Sequence, residues 1–275
     1  MPELPEVETV RRTLETLVLN KTIDAVEVRW ANIIKQPREV EQFQDALVGQ
    51  TIRAMKRRGK FLLFMLDELT LVSHLRMEGR YGLYQATDEV LPHTHVLFTF
   101  TDGTELRYQD VRKFGTMHIF KKGEEEGALP LSQLGIEPLS DRFTSALLYE
   151  ATRHKNRSIK VFLLDQKTVV GLGNIYVDEA LFRAGLHPER TAASLTEEEI
   201  VRLHQAIIAT LQDAVDQGGS SIKSYVNGQG EMGMFQQQLQ VYGRKDEACI
   251  RCGTVISKTV VGGRGTHFCA NCQKK

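Results

Sequence analysis

No stretch of this 275-residue chain stays apolar for longer than FLLFML, Phe61 to Leu66. A helix needs about 20 consecutive apolar residues to cross a bilayer, so no membrane-spanning helix and no membrane partner are expected. The first residues carry Glu3, Glu6, Glu8 and Glu15 and no apolar core of the kind a secretory leader has, which points to the cytoplasm. Net charge is missing too: 35 Lys and Arg face 35 Asp and Glu, with a pI of about 7.1. Any attraction to a polyanion must therefore come from local clustering. Cysteine is scarce and confined, with all four between Cys249 and Cys272, which excludes a disulfide framework spread over a secreted protein. There is no Walker motif, so nucleotide hydrolysis has no support.

What is present describes an ordinary globular protein. At 41% apolar and 25% charged, the chain is long enough for about two domains with real cores. Positive charge gathers in three places. Arg53, Lys56, Arg57, Arg58 and Lys60 form one acid-free run, and Arg153, Lys155, Arg157 and Lys160 form another. From Val241 onward, seven cations (Arg244, Lys245, Arg251, Lys258, Arg264, Lys274, Lys275) stand against Asp246 and Glu247, leaving +5. Each run alone reads as a solvated face, but three in a neutral chain suggest a polyanion-binding surface.

Hydrophobic periodicity divides the chain. A helix with Val7, Val10, Leu14, Leu17 and Val18 on one face precedes the strand-like stretches VEVRW, KFLLFML, LTLVSHL, HVLFTF, ELRYQD and GTMHIF. Thr101–Gly103 reads as a hairpin turn between two of them. Together they predict a β-sandwich or barrel. Near residues 123–140 the composition turns to Gly, Pro and acid, which marks a domain boundary. Helices follow, one of them opened by a Thr196/Glu199 capping box, running to about Gln217 and closed by Gly218. GGSSIKSYVNGQGEMGMFQ then reads as a mobile loop.

Three local motifs carry chemistry. Cys249, Cys252, Cys269 and Cys272 have C-x2-C-x16-C-x2-C spacing, which suits one tetrahedral zinc around a β-hairpin. Such a site has no open coordination position, so the ion is structural, and the hairpin VVGGRGTHF presents Arg264 at its tip. GLGN, Gly171 to Asn174, feeds a helical pattern, predicting an Asn-capped helix whose free N–H groups suit phosphate. The opening MPELPEVET poses a different question. Pro5 suits the start of a helix and Glu6 its positive end, but neither explains Pro2. Removal of Met1 would leave a secondary amine at Pro2, beside the carboxyl group of Glu3.

PELPEVET, RRGKF (Arg57–Phe61), SHLRMEGR (Ser73–Arg80), RKFG (Arg112–Gly115), GLGNIYVDE (Gly171–Glu179) and GRGTHFC (ending at Cys269) together resemble bacterial formamidopyrimidine-DNA glycosylase. The resemblance spans the chain in order. It implies an α+β multidomain fold with three parts: an N-terminal β-sandwich catalytic domain with a flanking helix (1–133), a helix–two-turn–helix domain with a lesion-capping loop (134–240), and a C-terminal zinc hairpin (241–275). It implies a bifunctional DNA glycosylase and AP lyase of base excision repair. The expected partner is double-stranded DNA containing oxidised purines or abasic sites, and the expected state is a monomer at the bacterial nucleoid.

The resemblance also implies roles. Pro2 is the expected nucleophile, Glu3 its acid/base partner and Glu6 a further active-site carboxylate. Lys60, His74, Asn174 and Arg264 are expected to grip the phosphates around the lesion, with His93, Tyr242 and Lys258 as further DNA contacts. Met77, Arg112 and Phe114 are expected to enter the base stack and fill the space a flipped base leaves. Lys223, in the capping loop, stands where the family pattern suggests arginine. The related endonuclease VIII typically begins PEGPE, whereas PELPE and the separated Met77, Arg112 and Phe114 favour the purine enzyme. A non-enzymatic DNA-binding protein is the competing reading, and Pro2 beside Glu3 is the feature it leaves unexplained.

Overall fold

A computed structural model describes residues 1–220 and 235–275. The expected capping loop, Lys223 included, lies mostly outside the described residues. The described chain forms two compact units, 1–133 and 134–220 with 235–275.

In the first unit, helix α1 (Leu4–Val18) buries Val7, Val10, Leu14 and Val18 at helical spacing. Each such side chain contributes about 1.5–3 kcal/mol when fully removed from water. Nine strands follow: β1 (Ile23–Val28), β2 (Ile34–Gln36), β3 (Ala54–Arg58), β4 (Phe61–Met65), β5 (Leu69–His74), β6 (Arg80–Gln85), β7 (Thr94–Phe100), β8 (Thr104–Gln109) and β9 (Thr116–Lys121), with α2 (Val40–Leu47) between β2 and β3. They make two sheets, β1-β7-β8-β6 and β2-β9-β5-β4-β3. One apolar cluster draws Val26, Val96, Phe98 and Leu106 from the first sheet and Leu62, Phe64, Leu71 and Met117 from the second. The expected sandwich is present. β4 is buried along its whole length, its Leu62 and Phe64 in this cluster together with Val7, Val10, Leu14 and Val18 of α1, which packs beside β3 and β4.

β2, β3 and β6 go beyond the sequence reading. β3 is AMKRR, whose cations mask its pairing with β4 from Ala54↔Met65 to Arg58↔Phe61. Gly59, at φ +55°, makes the turn between them, and Gly103, at φ +81°, makes the expected turn between β7 and β8.

The second unit holds α3 (Ser145–Thr152), α4 (Ile159–Leu164), α5 (Asn174–Ala184), α6 (Glu197–Asp216) and the hairpin β10 (Ser257–Val261) and β11 (Arg264–Phe268). α6 starts as its sequence predicts. The Glu199 N–H donates to Thr196 Oγ1 at 3.2 Å, and the Thr196 N–H donates to Glu199 Oε2 at 2.9 Å. Gly218 follows its end at φ +73°. Gly262 and Gly263, at φ +56° and +75°, form the hairpin turn, a conformation that needs positive φ at both central residues. No helix among the described residues is long and apolar enough to cross a membrane.

Candidate active site and nucleic-acid interface

The chain start forms the helix that Pro5 and Glu6 predict. Glu3 is the N-cap of α1, Leu4 is its first residue and Pro5 its second. The Glu3 N–H donates to Glu6 Oε2 at 2.8 Å, one half of a capping box that fixes the backbone next to Pro2. Pro2, Glu3 and Glu6 are all buried. The helix start is therefore what holds a potential amine and a carboxylate at a fixed place.

Lys60 occupies the β3–β4 turn, one residue before Phe61, which pairs with His74 across β4 and β5. Both Lys60 and His74 are about 7% exposed. The His74 ring sits edge-on to Phe61 at 4.4 Å. Burial, with the Arg76 and Lys60 charges adding to it, lowers the His74 pKa to about 3. The imidazole is thus neutral at physiological pH. Its Nδ1 accepts the Arg76 N–H at 2.9 Å, which leaves the ring proton on Nε2 as a donor.

Met77 lies in the turn after β5 and is 37% exposed, and Phe114 lies in the β8–β9 loop at 51%. The Arg112 guanidinium stacks on the Phe114 ring at 4.8 Å. An exposed thioether, an exposed ring and a guanidinium already stacked on it suit insertion among bases. His93 is exposed at the entry to β7, with φ +64°.

In the second unit, Asn174 departs from the sequence reading. Gly173 is the N-cap of α5, in extended conformation, and Asn174 is the first helical residue. Its side chain is drawn away from the helix end because Nδ2 donates to the Gly265 carbonyl at 2.8 Å, beside Arg264. Arg264 and Lys258 are exposed on the hairpin. The Tyr242 ring meets His267 edge-on at 5.1 Å, and its N–H donates to Glu179 Oε1 at 2.8 Å. Glu179 also accepts from the Gln240 and Val241 amides. Burial raises its pKa, and the three amides oppose that rise.

The basic runs are less available than their spacing suggests. Arg57 pairs with Glu8 at 3.1 Å, Arg53 with Asp67 at 2.6 Å and Arg58 with Glu126 at 3.4 Å. In the second run Arg157 pairs with Asp165. Lys160 is fully buried, 2.7 Å from Asp178 Oδ1 and 3.3 Å from the Gly265 carbonyl. Asp178 Oδ2 in turn accepts the His267 N–H at 2.8 Å. Lys160 and Asp178 are missing from the sequence reading as hairpin-holding residues. Their partners lie about 90–105 residues away, and no local signal marks them.

The four cysteine Sγ atoms all lie within 4.8 Å of one another, with Cys249–Cys272 at 3.9 Å and Cys252–Cys269 at 3.5 Å. Zinc–sulfur bonds of about 2.3 Å in a tetrahedron place sulfurs about 3.8 Å apart, so the thiols fit one structural zinc.

A family model described as the formamidopyrimidine-DNA glycosylase N-terminal domain matches residues 1–117. The H2TH domain of the same enzyme matches 134–226, and a zinc finger found in FPG and IleRS matches 246–275. These define a zinc-finger DNA glycosylase of three parts. Formamidopyrimidine-DNA glycosylase of Cytobacillus firmus is 69% identical over 273 residues, covering 99% of this chain and all of that protein. That of Bacillus subtilis is 66% identical over 275 residues, covering both in full. Lactococcus lactis Fpg in complex with abasic-site DNA superposes with a TM-score of 0.93 at 43% identity, over 99% of this chain and all of that one. The same enzyme bound to DNA containing N7-benzyl-Fapy-dG also gives 0.93 at 43% identity, with both chains fully covered. The chain belongs to the formamidopyrimidine-DNA glycosylase family.

Proposed function

We propose that this protein is a bifunctional DNA glycosylase and AP lyase that flips out and excises oxidised purines, 8-oxoguanine and formamidopyrimidines, and then cuts the strand. The observation that carries the reading is Pro2 and Glu3 held at the head of α1 in a chain 66–69% identical to named glycosylases along its whole length. The work divides among residues 1–133, 134–240 and 241–275. The enzyme acts as a monomer on nucleoid DNA in the bacterial cytoplasm.

In this mechanism the Pro2 nitrogen, freed by loss of Met1, attacks C1′ of the flipped nucleotide. The bond from C1′ to the base breaks, and the base leaves with the electron pair and gains a proton. Glu3 protonates the sugar ring oxygen as the ring opens, leaving an iminium between Pro2 and C1′. Loss of a C2′ proton then expels the 3′ phosphate, and a second elimination expels the 5′ phosphate. Water hydrolyses the iminium and restores the amine. Glu6 keeps the Glu3 backbone in place. Lys60, His74, Asn174 and Arg264 bind phosphates, and His93, Tyr242 and Lys258 add contacts to the duplex. Zinc on four thiolates supplies structure to the hairpin and has no open position for chemistry.

The charge states of Lys60 and His74 separate their contributions. Lys60→Ala is expected to weaken duplex binding and to flatten the dependence of log K on log salt by about one, the counterion release of a single phosphate contact. His74→Gln is expected to weaken binding with the salt slope unchanged, because the imidazole is neutral. Titration of affinity between low and moderate salt measures both. An unchanged slope in Lys60→Ala would remove Lys60 from the phosphate contacts.

Arg112→Ala tests the void-filling role. Excision of a paired lesion is expected to slow about tenfold or more relative to cleavage at a preformed abasic site, where no base remains to be extruded. Equal losses on the two substrates would contradict the role.

A further inference from the structure

The turn carrying Met77 and the loop carrying Arg112 and Phe114 share one buried anchor. Asp110, the residue after β8, is 1% exposed, and Tyr108 within β8 is fully buried. Asp110 Oδ2 accepts the Phe114 N–H at 2.9 Å, the Gly115 N–H at 2.8 Å and the Tyr108 hydroxyl at 3.3 Å. Oδ1 accepts the Arg112 N–H at 3.1 Å. The backbone of Asp110 reaches a third expected DNA contact, since its N–H donates to the His93 carbonyl at 3.0 Å. Its own carbonyl lies 2.9 Å from His95 Nε2.

Tyr108 extends the anchor to the Met77 turn. A Cβ built on Gly115 would lie 1.7 Å from the Tyr108 hydroxyl oxygen, and one on Gly79 would lie 2.3 Å from it. Both segments therefore close over the same hydroxyl, and each has glycine at the point of contact. This gives a reason why SHLRMEG and RKFG both end in glycine. The Tyr108 ring is held in turn by Tyr81, 5.1 Å away, whose hydroxyl is 2.7 Å from that of Ser73 on β5. Burial, reinforced by the Asp110 charge, raises the Tyr108 pKa, so the phenol keeps its proton and remains a donor.

We propose that Asp110, acting through Tyr108, is a positioning residue for base extrusion that holds the Met77 turn and the Arg112–Phe114 loop as one preassembled wedge. The inference rests on the void-filling reading of Met77, Arg112 and Phe114. A carboxylate is required because both oxygens receive donors. In Asp110→Asn either orientation of the amide turns its NH2 group toward at least one backbone N–H. The wedge loop would then be ordered only as DNA binds, and extrusion would slow.

The test compares single-turnover excision of a paired 8-oxoguanine with cleavage of a preformed abasic duplex, in Asp110→Asn, Tyr108→Phe, Arg112→Ala and the double variant Asp110→Asn with Arg112→Ala. Asp110→Asn is expected to slow excision about tenfold or more relative to abasic cleavage, with Tyr108→Phe showing a smaller loss of the same kind. The double variant is expected to be no slower than the slower single variant, because Asp110 works through the wedge to which Arg112 belongs. If Arg112→Ala shifts the ratio of the two rates and Asp110→Asn does not, the proposal fails and the void-filling reading stands. Multiplying losses in the double variant also overturn it. If Arg112→Ala leaves the ratio unchanged, the reading beneath fails and takes the proposal with it. Should Asp110→Asn not fold, Tyr108→Phe decides the matter, since it removes one hydroxyl and keeps the ring. An unshifted ratio in that variant overturns the anchor.

Discussion

Protein that retains any residue on the nitrogen of Pro2, whether Met1 or a tag, is expected to lose base excision and strand cleavage by a thousandfold or more, on the order of the loss of a covalent nucleophile. In the peptide Met1–Pro2 that nitrogen is a tertiary amide, its lone pair delocalised into the carbonyl and unable to attack carbon. Once free it is a secondary amine. Model α-amino groups titrate near about 7.7–8.0, so a neutral, reactive fraction exists at physiological pH. The blocked protein should still bind lesion DNA, because Lys60, His74 and Arg264 are untouched. A tag on the other end of the chain should leave both activities intact. Rates and affinities of the two tagged forms check this, and a blocked form that cleaves at the unblocked rate would remove Pro2 from the chemistry.

The second large effect concerns the metal. In Cys249→Ser, zinc content and duplex affinity are expected to fall together, affinity by about a hundredfold or more, since a structural zinc of this type contributes about 10–16 kcal/mol to folding its own site. Besides the metal, polar contacts from Asn174, Lys160 and Asp178 tie β11 to the helices, and the apolar support of the hairpin is small. Its core is Phe182, Val241 and Ile256 with Cys249 and Cys269 themselves, so two of the ligands are also core residues. Losing the ion should free β10 and β11, and with them Arg264 and Lys258. Metal analysis beside a binding titration measures the link. A serine variant with a full complement of zinc would contradict the four-thiolate site, and full affinity without zinc would contradict the hairpin's role in binding.

How much of this was legible in the sequence follows the range of the interactions involved. The zinc site and the α6 capping box are set by residues 3 to 23 positions apart, and their spacing alone announces them. α1 is legible through its apolar period, and most of the strands through their alternation. β3 is not, because its charges dominate its pattern while the acids that pair with Arg57 and Arg58, Glu8 and Glu126, come from elsewhere in the chain. The basic runs mislead for the same reason: a sequence counts charges and does not show their partners. Lys160 is the clearest case, a member of a cationic run that is fully buried against Asp178. Asn174 reads as a cap until Gly265, 91 residues away, supplies a better acceptor for its amide. Asp110 carries a signal only in hindsight, as a carboxylate closing a strand just before VRKF.

The central claim is that the nitrogen of Pro2 bonds to the sugar, and reductive trapping tests it most directly. Mature protein mixed with abasic-site DNA and a hydride reductant should form a stable covalent adduct, because reduction converts the iminium into an amine that water cannot hydrolyse. Digestion and peptide mapping should place the sugar on the N-terminal Pro2 peptide, and the N-terminally blocked protein should trap nothing. An adduct mapped to a lysine such as Lys60, or equal trapping by the blocked protein, would contradict the mechanism and leave MPELPEVET as the start of a helix and no more.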